Sequence, residues 1–571
     1  MIKARVRAEN PEANLKSYYE TYQSFRWSDV EASLFHTENG QINIVQDAID
    51  KWADDPVTRN KPAIIFEKAG QSTSFTYAEM KERSCRWANL LTKYNFKIGD
   101  RVFIFLRPCP EIYFAMLACA RIGVIFSVLY PALGFEELGW RILDAEPRGL
   151  ITHPDLVGRL PENAMQDVKH VFLTDGPKMG LFSGEVILDQ VAEHMPEECD
   201  IRFLPPETPL YLLYTSGSTG PPKGVVHAHH DMAGHLITGR YVLDLTESSV
   251  LWTDGEPAWV TGTVYGAFAP WLCGATSIIQ GSQFDASQWY RTLEIHRVTT
   301  WYTTPRSVRR LMQAGKDLPR QYDLSHLRHI ATVGETLLPE LFYWVRENLK
   351  HSPHDTWWMT ETGMICMANF PSQLIKPGSM GKPVPGVEAA VLDQNGEQLS
   401  ILTLGELALK SDLPCLMRAV WRDEARFTAY FRNGWFLTGD MVIKDEDGYY
   451  YHQGRNDDLI KLGQNFVGPY DFEQVVGLHR AVAEAAVISK NATPGEVEIK
   501  VFVKVNRGFP ASESLNLEIQ NFVKNNFADL PSLEIEFIDE LPKTRSGKVL
   551  RRVLRARELG LPSGDPLNLK D

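Results

Sequence analysis

Apolar positions along the first two thirds of the chain alternate between two spacings. Residues 77–93 place them at helical intervals, 101–106 form a short continuous apolar run, 111–122 return to helical spacing and 124–129 to a run. The alternation continues through Gly149-Leu150-Ile151-Thr152, Val171-Phe172-Leu173 and Pro209-Leu210-Tyr211-Leu212-Leu213-Tyr214. Short buried strands separated by helices predict parallel sheets with helices packed on their faces. Trp27 and Phe35 are expected to pin an N-terminal arm to this body. From about Gly381 the pattern shortens, as in Ala389-Ala390-Val391-Leu392-Asp393-Gln394-Asn395-Gly396 and Gly405-Glu406-Leu407-Ala408-Leu409, which predicts a small antiparallel or barrel-like unit. A boundary is expected near Gly454-Arg455-Asn456-Asp457-Asp458. Beyond it, a helix from near Asp471, strands at 484–488 and 499–505 and a helix over 514–527 suffice for a small α+β domain. The expected fold is α/β: a large N-terminal domain (1–454) of β-sheets flanked by helices with a barrel-like subdomain, then an α+β C-terminal domain (455–571).

The strand expected at 209–214 feeds Thr215-Ser216-Gly217-Ser218-Thr219-Gly220-Pro221-Pro222-Lys223-Gly224, after which Val225-Val226-His227-Ala228 runs on toward a helical pattern. Glycines let backbone approach an anion, while the hydroxyls and Lys223 supply donors and charge, a chemistry suited to a triphosphate. A Walker loop needs its lysine and hydroxyl at a helix start. Pro222 before Lys223 and Gly224 after it remove that geometry. A plain Ser/Gly/Pro linker is the competing reading, and its position directly after an apolar strand speaks against it.

Composition narrows the classes. With 571 residues, 44% hydrophobic and 23% charged, the chain can bury a large core. A net charge of −13 argues against a nucleic-acid surface, although Lys543-Thr544-Arg545-Ser546-Gly547-Lys548 with Arg551-Arg552 concentrates cations that could serve a polyanionic substrate. The N-terminal residues contain no apolar signal-like run, and the most apolar stretch, 115–135, is interrupted by Arg121, Gly123, Pro131 and Gly134. It reads as a buried helix followed by a strand, not a membrane span. Cys85, Cys109, Cys119, Cys199, Cys273, Cys366 and Cys415 have no metal or disulfide spacing and point to a cytoplasmic protein.

Four further segments carry chemistry. Asp355-Thr356-Trp357-Trp358-Met359-Thr360-Glu361-Thr362-Gly363 sets tryptophans that could bound a small pocket beside a carboxylate able to hold a hard divalent cation. Val333-Gly334-Glu335-Thr336 ends a strand with a glycine against which a flat ring could lie. In Trp435-Phe436-Leu437-Thr438-Gly439-Asp440 an acceptor-only carboxylate could take both hydroxyls of a ribose. Gly547-Lys548 offers a cation on a pliable backbone. Alone, each has a plainer reading: a capped aromatic core, a turn aspartate, a solvated lysine.

Together with Trp259-Val260-Thr261-Gly262, Gly454-Arg455 and Leu541-Pro542-Lys543, these segments, in this order, resemble the adenylate-forming superfamily, and most closely its AMP-forming acetyl-CoA synthetases, over about residues 15–557. The resemblance implies ATP, Mg2+ and coenzyme A as the small molecules handled, with a carboxylate activated to acyl-AMP and then passed to the thiol. It implies that Thr215, Ser216, Gly217, Ser218, Thr219, Gly220 and Lys223 hold phosphates, and that Gly334, Glu335, Thr336, Asp355, Thr356 and Trp357 frame adenine. Thr360 would approach the α-phosphate, Glu361 bind Mg2+, and Asp440 and Arg455 hold the ribose. Lys548 would bridge carboxylate and α-phosphate, reaching them only when a mobile C-terminal domain turns about Asp457. Thr261 and Gly463 would lie on the coenzyme A path. Trp358, at the pocket-closing position with Val260, Thr261 and Val333 along the walls, would restrict the acid to acetate, with propionate as a neighbour and longer chains excluded.

The chain also departs from the family pattern. Phe466 stands where an arginine would contact phosphates, and Gln464 replaces a glycine near the expected pantetheine path. Glu256 and Ala258 replace a shorter acid and a glycine, and Met359 a glutamine. His479 matches a cation-binding histidine of some relatives but reads as a surface residue. An adenylation module serving a carrier protein is the nearest rival; an amino-acid-selecting one needs a carboxylate where Val260-Thr261-Gly262 has none. A nucleotide sensor without catalysis is the other. Oligomeric state is not legible in the sequence.

Overall fold

The computed structural model describes residues 10, 12–182, 184–215, 222–456, 460–462, 465–493, 496–527, 530, 532–543 and 549–558. The chain divides into two compact units, one formed by residues up to 215 with 223–388 and 411–429, the other by 216–222, 389–410 and 430–571.

Two large sheets build the first unit. One runs in the order Ala419–Val420, Lys223–Ala228, Pro209–Thr215, Ile125–Val128, Arg101–Phe105, Gly149–Thr152, His170–Leu173, Glu185–Ile187, parallel from Pro209–Thr215 onward. The other has a parallel centre, Pro353–Trp357, His329–Thr332, Thr300–Thr303, Val250–Thr253, Thr276–Gln280, Pro62–Lys68, with antiparallel strands at both margins. The expected helices and strands between 77 and 173 all form, within a residue or two of their predicted ends. Thr76 and Glu79 close a reciprocal capping box on helix Tyr77–Lys93, with Thr76 N donating to Glu79 Oε2 at 2.7 Å. Helix Pro110–Ile122 is buried almost all round, and Arg121, the charge interrupting that apolar stretch, lies in a fork against Asp50 at 2.5 and 2.8 Å with Ser84 at 2.9 Å. A buried cation needs such pairing, because unpaired it would force a large desolvation penalty. No helix among the described residues is long and apolar enough to cross a membrane. In the N-terminal arm, Trp27 Nε1 donates to Gly386 O at 3.1 Å, while Phe35 packs on Phe203 and stays partly exposed.

Residues 225–228 belong to strand Lys223–Ala228, buried throughout and antiparallel to Pro209–Thr215, and the expected helical pattern follows at once, as a 3-10 turn at His229–Asp231 and helix Met232–Tyr241. Adjacent valines buried on both faces favour the central strand that forms. Thr215 and Lys223, which flank the glycine-rich segment in the chain, are cross-strand partners. Residues 216–221 of that segment, and with them Ser216, Gly217, Ser218, Thr219 and Gly220, lie outside the described residues.

In the second unit, Ala389–Leu392, Leu404–Lys410, Trp435–Lys444, Phe431–Arg432 and Tyr450–Arg455 form a five-stranded antiparallel sheet. Strands Val482–Thr493, Glu496–Val505 and Ser532–Phe537 form a second sheet whose core, with Phe472, Val476, Ile519 and Val523, is covered by helices Pro469–Gly477 and Glu513–Lys524. Strand Ser532–Phe537 and helix Arg551–Glu558 were not expected from periodicity. His479 is no surface residue: it is buried, edge-on to Phe522, with Nε2 3.3 Å from Glu518. Two cations of the C-terminal basic patch are neutralised, Lys543 by Glu484 and Arg551 by Glu473.

Candidate active site

Strands Val250–Thr253, Thr300–Thr303, His329–Thr332 and Pro353–Trp357 run parallel, so their carboxyl ends and the loops that follow share one edge of the sheet. Ligand sites of open parallel sheets form at that edge. Gly334 adopts φ +96°, and the space where a side chain would project is open, as a flat ring laid on the backbone requires. Glu335 stands 3.9 Å from Arg309. The loop is held by Asp355, whose Oδ1 accepts from Thr332 Oγ1 at 2.7 Å and Oδ2 from Leu337 N at 3.2 Å. Its side chain thus acts by bracing residues 333–337. Burial raises its carboxyl to about 7, against the lowering effect of these bonds.

Trp358 follows directly and is 8% exposed. Thr356 Oγ1 donates to Thr332 O at 2.7 Å; the Tyr302 hydroxyl, 2.9 Å away, therefore donates to Thr356 Oγ1 and accepts from Trp358 Nε1 at 3.0 Å. The indole also meets Tyr265 edge-on at 4.9 Å. Tyr265 sits in a wide π-helical turn, Val264–Phe268, which continues the short helix Val260–Thr263. Gly262 is required there, because a Cβ would collide with Glu256 O. Val260 and Thr261 are thereby joined to the tryptophan through Tyr265, and Val333 lies one residue beyond the Thr332–Asp355 register pair.

Thr360 and Glu361 occupy a single 3-10 turn, Thr360–Thr362, ended by Gly363 at φ +65°. Glu361 is buried and ion-paired with Lys223, which ties this turn to strand Lys223–Ala228. Across the strand pair from Lys223, Thr215 Oγ1 is buried with no hydrogen-bond partner. A buried carboxylate is a hard oxygen donor of the kind Mg2+ prefers, and Glu361, ion-paired with the residue that faces the unpartnered Thr215 hydroxyl across the strands, fits that ion. The turn is buttressed from behind. His227 Nε2 donates to Thr360 O at 2.7 Å, while its Nδ1 meets Asp231 Oδ2 at 2.6 Å. Met417 N donates to Glu361 O at 2.9 Å and His235 Nε2 to Gly363 O at 3.0 Å. Sequence reasoning missed His227, Asp231, Tyr265 and Tyr302. His227 lies near the end of a strand and Asp231 ends the 3-10 turn after it, so no single periodicity announced the pair.

In the second unit Asp440 and Arg455 are cross-strand partners, with Arg455 Nη1 donating to Asp440 Oδ1 and Thr438 O, each at 3.0 Å. Gly439, at φ +75°, leaves room for the guanidinium to cross the strand. Lys548, Asp457, Gly463 and Gln464 lie outside the described residues, and Phe466 is placed only by its backbone, in strand Asn465–Val467.

The sequence model of the AMP-binding enzyme family matches residues 50–421, and that of the AMP-binding enzyme C-terminal domain matches 471–548. An acetyl-coenzyme A synthetase of Bacillus subtilis is 43% identical over 564 residues, 98% of each chain. One from Methanothrix thermoacetophila is 35% identical over 95% of this chain and 87% of its own. Among solved structures, an anthranilate CoA ligase in complex with anthranoyl-AMP superposes with a TM-score of 0.81 at 27% identity, over 94% of this chain and 99% of its own. An acyl-CoA synthetase of Brucella canis gives 0.75 at 26% identity, over 95% and 99%.

Proposed function

This chain belongs to the AMP-binding enzyme family, and we propose that it activates a short carboxylate, acetate foremost, with ATP and transfers the acyl group to coenzyme A. The observation that carries this reading is the ion pair between Glu361 and Lys223, which ties strand Lys223–Ala228 to the turn that follows the clamped indole of Trp358. A carboxylate oxygen attacks the α-phosphorus, the bond to pyrophosphate breaks, and the acyl-adenylate carries a good leaving group. The thiol of coenzyme A then attacks the acyl carbon, loses its proton and expels AMP. The protein contributes position and charge.

In this reading residues 215–223 hold the β- and γ-phosphates, residues 334–336 and 355–357 frame adenine, and Asp440 and Arg455 take the ribose. Thr360 donates toward the α-phosphate. Mg2+ at Glu361 would neutralise phosphate charge and draw electrons from the α-phosphorus. Val260, Thr261, Val333 and Trp358 enclose the acyl group, and Thr261 and Gly463 line the thiol path. Lys548 supplies a cation to adenylation alone, as residues 455–571 alternate about Asp457 against residues 1–454. Free cysteines, most of them buried, support a cytoplasmic setting. The test is a panel of C2 to C6 acids and benzoate with ATP and coenzyme A, reading AMP release. Acetate should lead. Absence of both AMP release and acetate-dependent pyrophosphate–ATP exchange would leave only nucleotide binding.

A further inference from the structure

Next to the buttressed turn, in the interior of the first unit, three side chains of different chemistry converge. Asp231, His235 and Cys415 each place one potential ligand atom within 4.8 Å of the other two, and all three are fully buried. Two side-chain atoms of these residues are unsatisfied: Asp231 Oδ1 and His235 Nδ1 have no hydrogen-bond partner, although each residue's other polar atom is engaged, and the Cys415 thiol donates to Asp231 O at 3.0 Å. Orphaned buried groups of this kind are rare in folded proteins and mark a missing ion, water or strain. Tyr211, stacked on His227 at 4.9 Å, adds a third buried unpartnered polar atom.

The backbone is shaped around this spot. A Cβ at Gly234 would collide with Cys415 Sγ, and one at Gly363 with Cys415 O and the His227 ring, so two glycines allow helix Met232–Tyr241 and residue 363 to close on the cysteine. The histidine is poised in the ligating form. Its Nε2–H donates to Gly363 O, which fixes the tautomer and leaves a lone pair on Nδ1, while burial lowers its pKa to about 4. Burial opposes charge on Asp231 as well, but His227 and Arg418 hold it below the ordinary carboxylate value. Arg418 approaches Asp231 Oδ1 only to 3.8 Å and is itself paired with Glu207. Burial, then the charge of Asp231, keeps the Cys415 thiol protonated in the absence of a cation.

We propose that Asp231, His235 and Cys415 bind one borderline-soft divalent cation, with Zn2+ the ion that best fits an oxygen–nitrogen–sulfur set. A carboxylate, a thiolate and a neutral imidazole balance two positive charges, which makes burial of the ion tolerable. Binding exchanges the thiol proton for the metal and releases it to solvent. Bonds of about 2.0–2.3 Å in tetrahedral arrangement place ligand atoms about 3.3–3.8 Å apart, a spacing that groups already within 4.8 Å of one another reach by a small inward shift. The site is separate from the Mg2+ donors at Glu361. Its consequence is mechanical: the ion ties together Asp231 and His235, which hold the Thr360 carbonyl through His227 and the Gly363 carbonyl directly.

The test is elemental analysis of the full-length protein, expressed with added zinc and purified without chelator. One zinc per chain is expected, with that zinc lost in Cys415→Ala and His235→Gln. Cobalt loading of the wild type should give a near-ultraviolet thiolate-to-metal charge-transfer band that Cys415→Ala lacks. X-ray absorption of the zinc-loaded wild type, which needs no variant to fold, should show one sulfur at about 2.3 Å beside nitrogen or oxygen at about 2.0 Å. A wild type that holds neither metal, retention of full zinc by the variants, or an absorption spectrum without sulfur overturns the proposal. These readouts are independent of the proposed reaction.

Discussion

Replacing Trp358 by alanine tests the proposed acyl pocket most directly. The indole is 8% exposed and fixed at two points, Nε1 on the Tyr302 hydroxyl at 3.0 Å and the ring edge-on to Tyr265 at 4.9 Å. Its removal does not orphan Tyr302, whose hydroxyl keeps Thr356 Oγ1 at 2.9 Å, so the strand end should survive. The space released can take methylenes. Butyrate carries two more than acetate, and at about 0.8 kcal/mol for each one buried the gain is about 1.6 kcal/mol, or ~15-fold in kcat/KM. Acetate meanwhile loses one wall of its site, a change on the order of 1.4 kcal/mol or tenfold. The butyrate-to-acetate ratio of kcat/KM should therefore rise by about 100-fold or more, measured as AMP release with each acid at saturating ATP and coenzyme A. Tyr302→Phe, which removes the hydroxyl but keeps both rings, should move the ratio in the same direction by less. Failure of the alanine variant, folded by circular dichroism, to change the ratio by more than about threefold would show that the indole does not bound the acyl group.

The buttress gives a second prediction: His227→Gln should lower kcat by about 10²-fold with little change in the KM for acetate, because Thr360 and Glu361 lose position while the pocket stays intact. An equal rise in KM, or a drop matched by loss of folded protein, would make His227 merely structural. For Asp355, burial lifts the carboxyl from 3.8 to about 7 in the folded chain, so the folded state binds its proton more tightly than the unfolded state. Its stabilising contribution is complete below about 3.8 and is lost as pH rises toward 7; Asp355→Asn should flatten the fall in Tm across that window, and parallel Tm–pH curves for the two proteins would refute this. Lys548→Ala should abolish pyrophosphate–ATP exchange yet convert preformed acetyl-AMP and coenzyme A to acetyl-CoA; loss of both half-reactions together would remove the assigned role.

What was legible in the sequence and what was not follow from range. Helix Tyr77–Lys93 and the strands Arg101–Phe105, Gly149–Thr152 and His170–Leu173 are set by local periodicity, and local periodicity is what a sequence displays. Residues 225–228 were legible only as the approach to a helix, because a buried strand without alternation and the start of a buried helix share one pattern; only the partner strand Pro209–Thr215 decides between them. His479 misled for a related reason: its burial comes from Phe522, 43 positions on, in a helix whose packing no local window reveals. The candidate site residues divide similarly. Glycines and charges such as Gly334, Glu361 and Lys223 stood out by type, whereas Tyr302 and Tyr265 look like ordinary core aromatics until their hydroxyls acquire partners.

Those partners also explain why the site edge can be rigid beside a glycine-rich segment. The directed bonds from Trp358 N–H to the Tyr302 hydroxyl, on to the Thr356 hydroxyl and then to Thr332 O run across three neighbouring strands to the foot of residues 333–337. Thr332 is also the donor that Asp355 uses to brace that loop. The wall proposed to measure acyl length and the loop proposed to frame adenine thus share one buried network, and a fully satisfied network in a low-dielectric interior resists displacement of any one member. The phosphate-side turn is anchored independently, through His227, Asp231 and His235 to the other sheet, where His227 is itself a residue of strand Lys223–Ala228. Substitutions in the first network should therefore alter which acid is used, and substitutions in the second how fast any acid is used. Double-mutant cycles between Tyr302 and His227 should give additive effects, because among the described residues the two take different hydrogen-bond partners, Thr360 O and Asp231 for His227 and Thr356 and Trp358 for Tyr302.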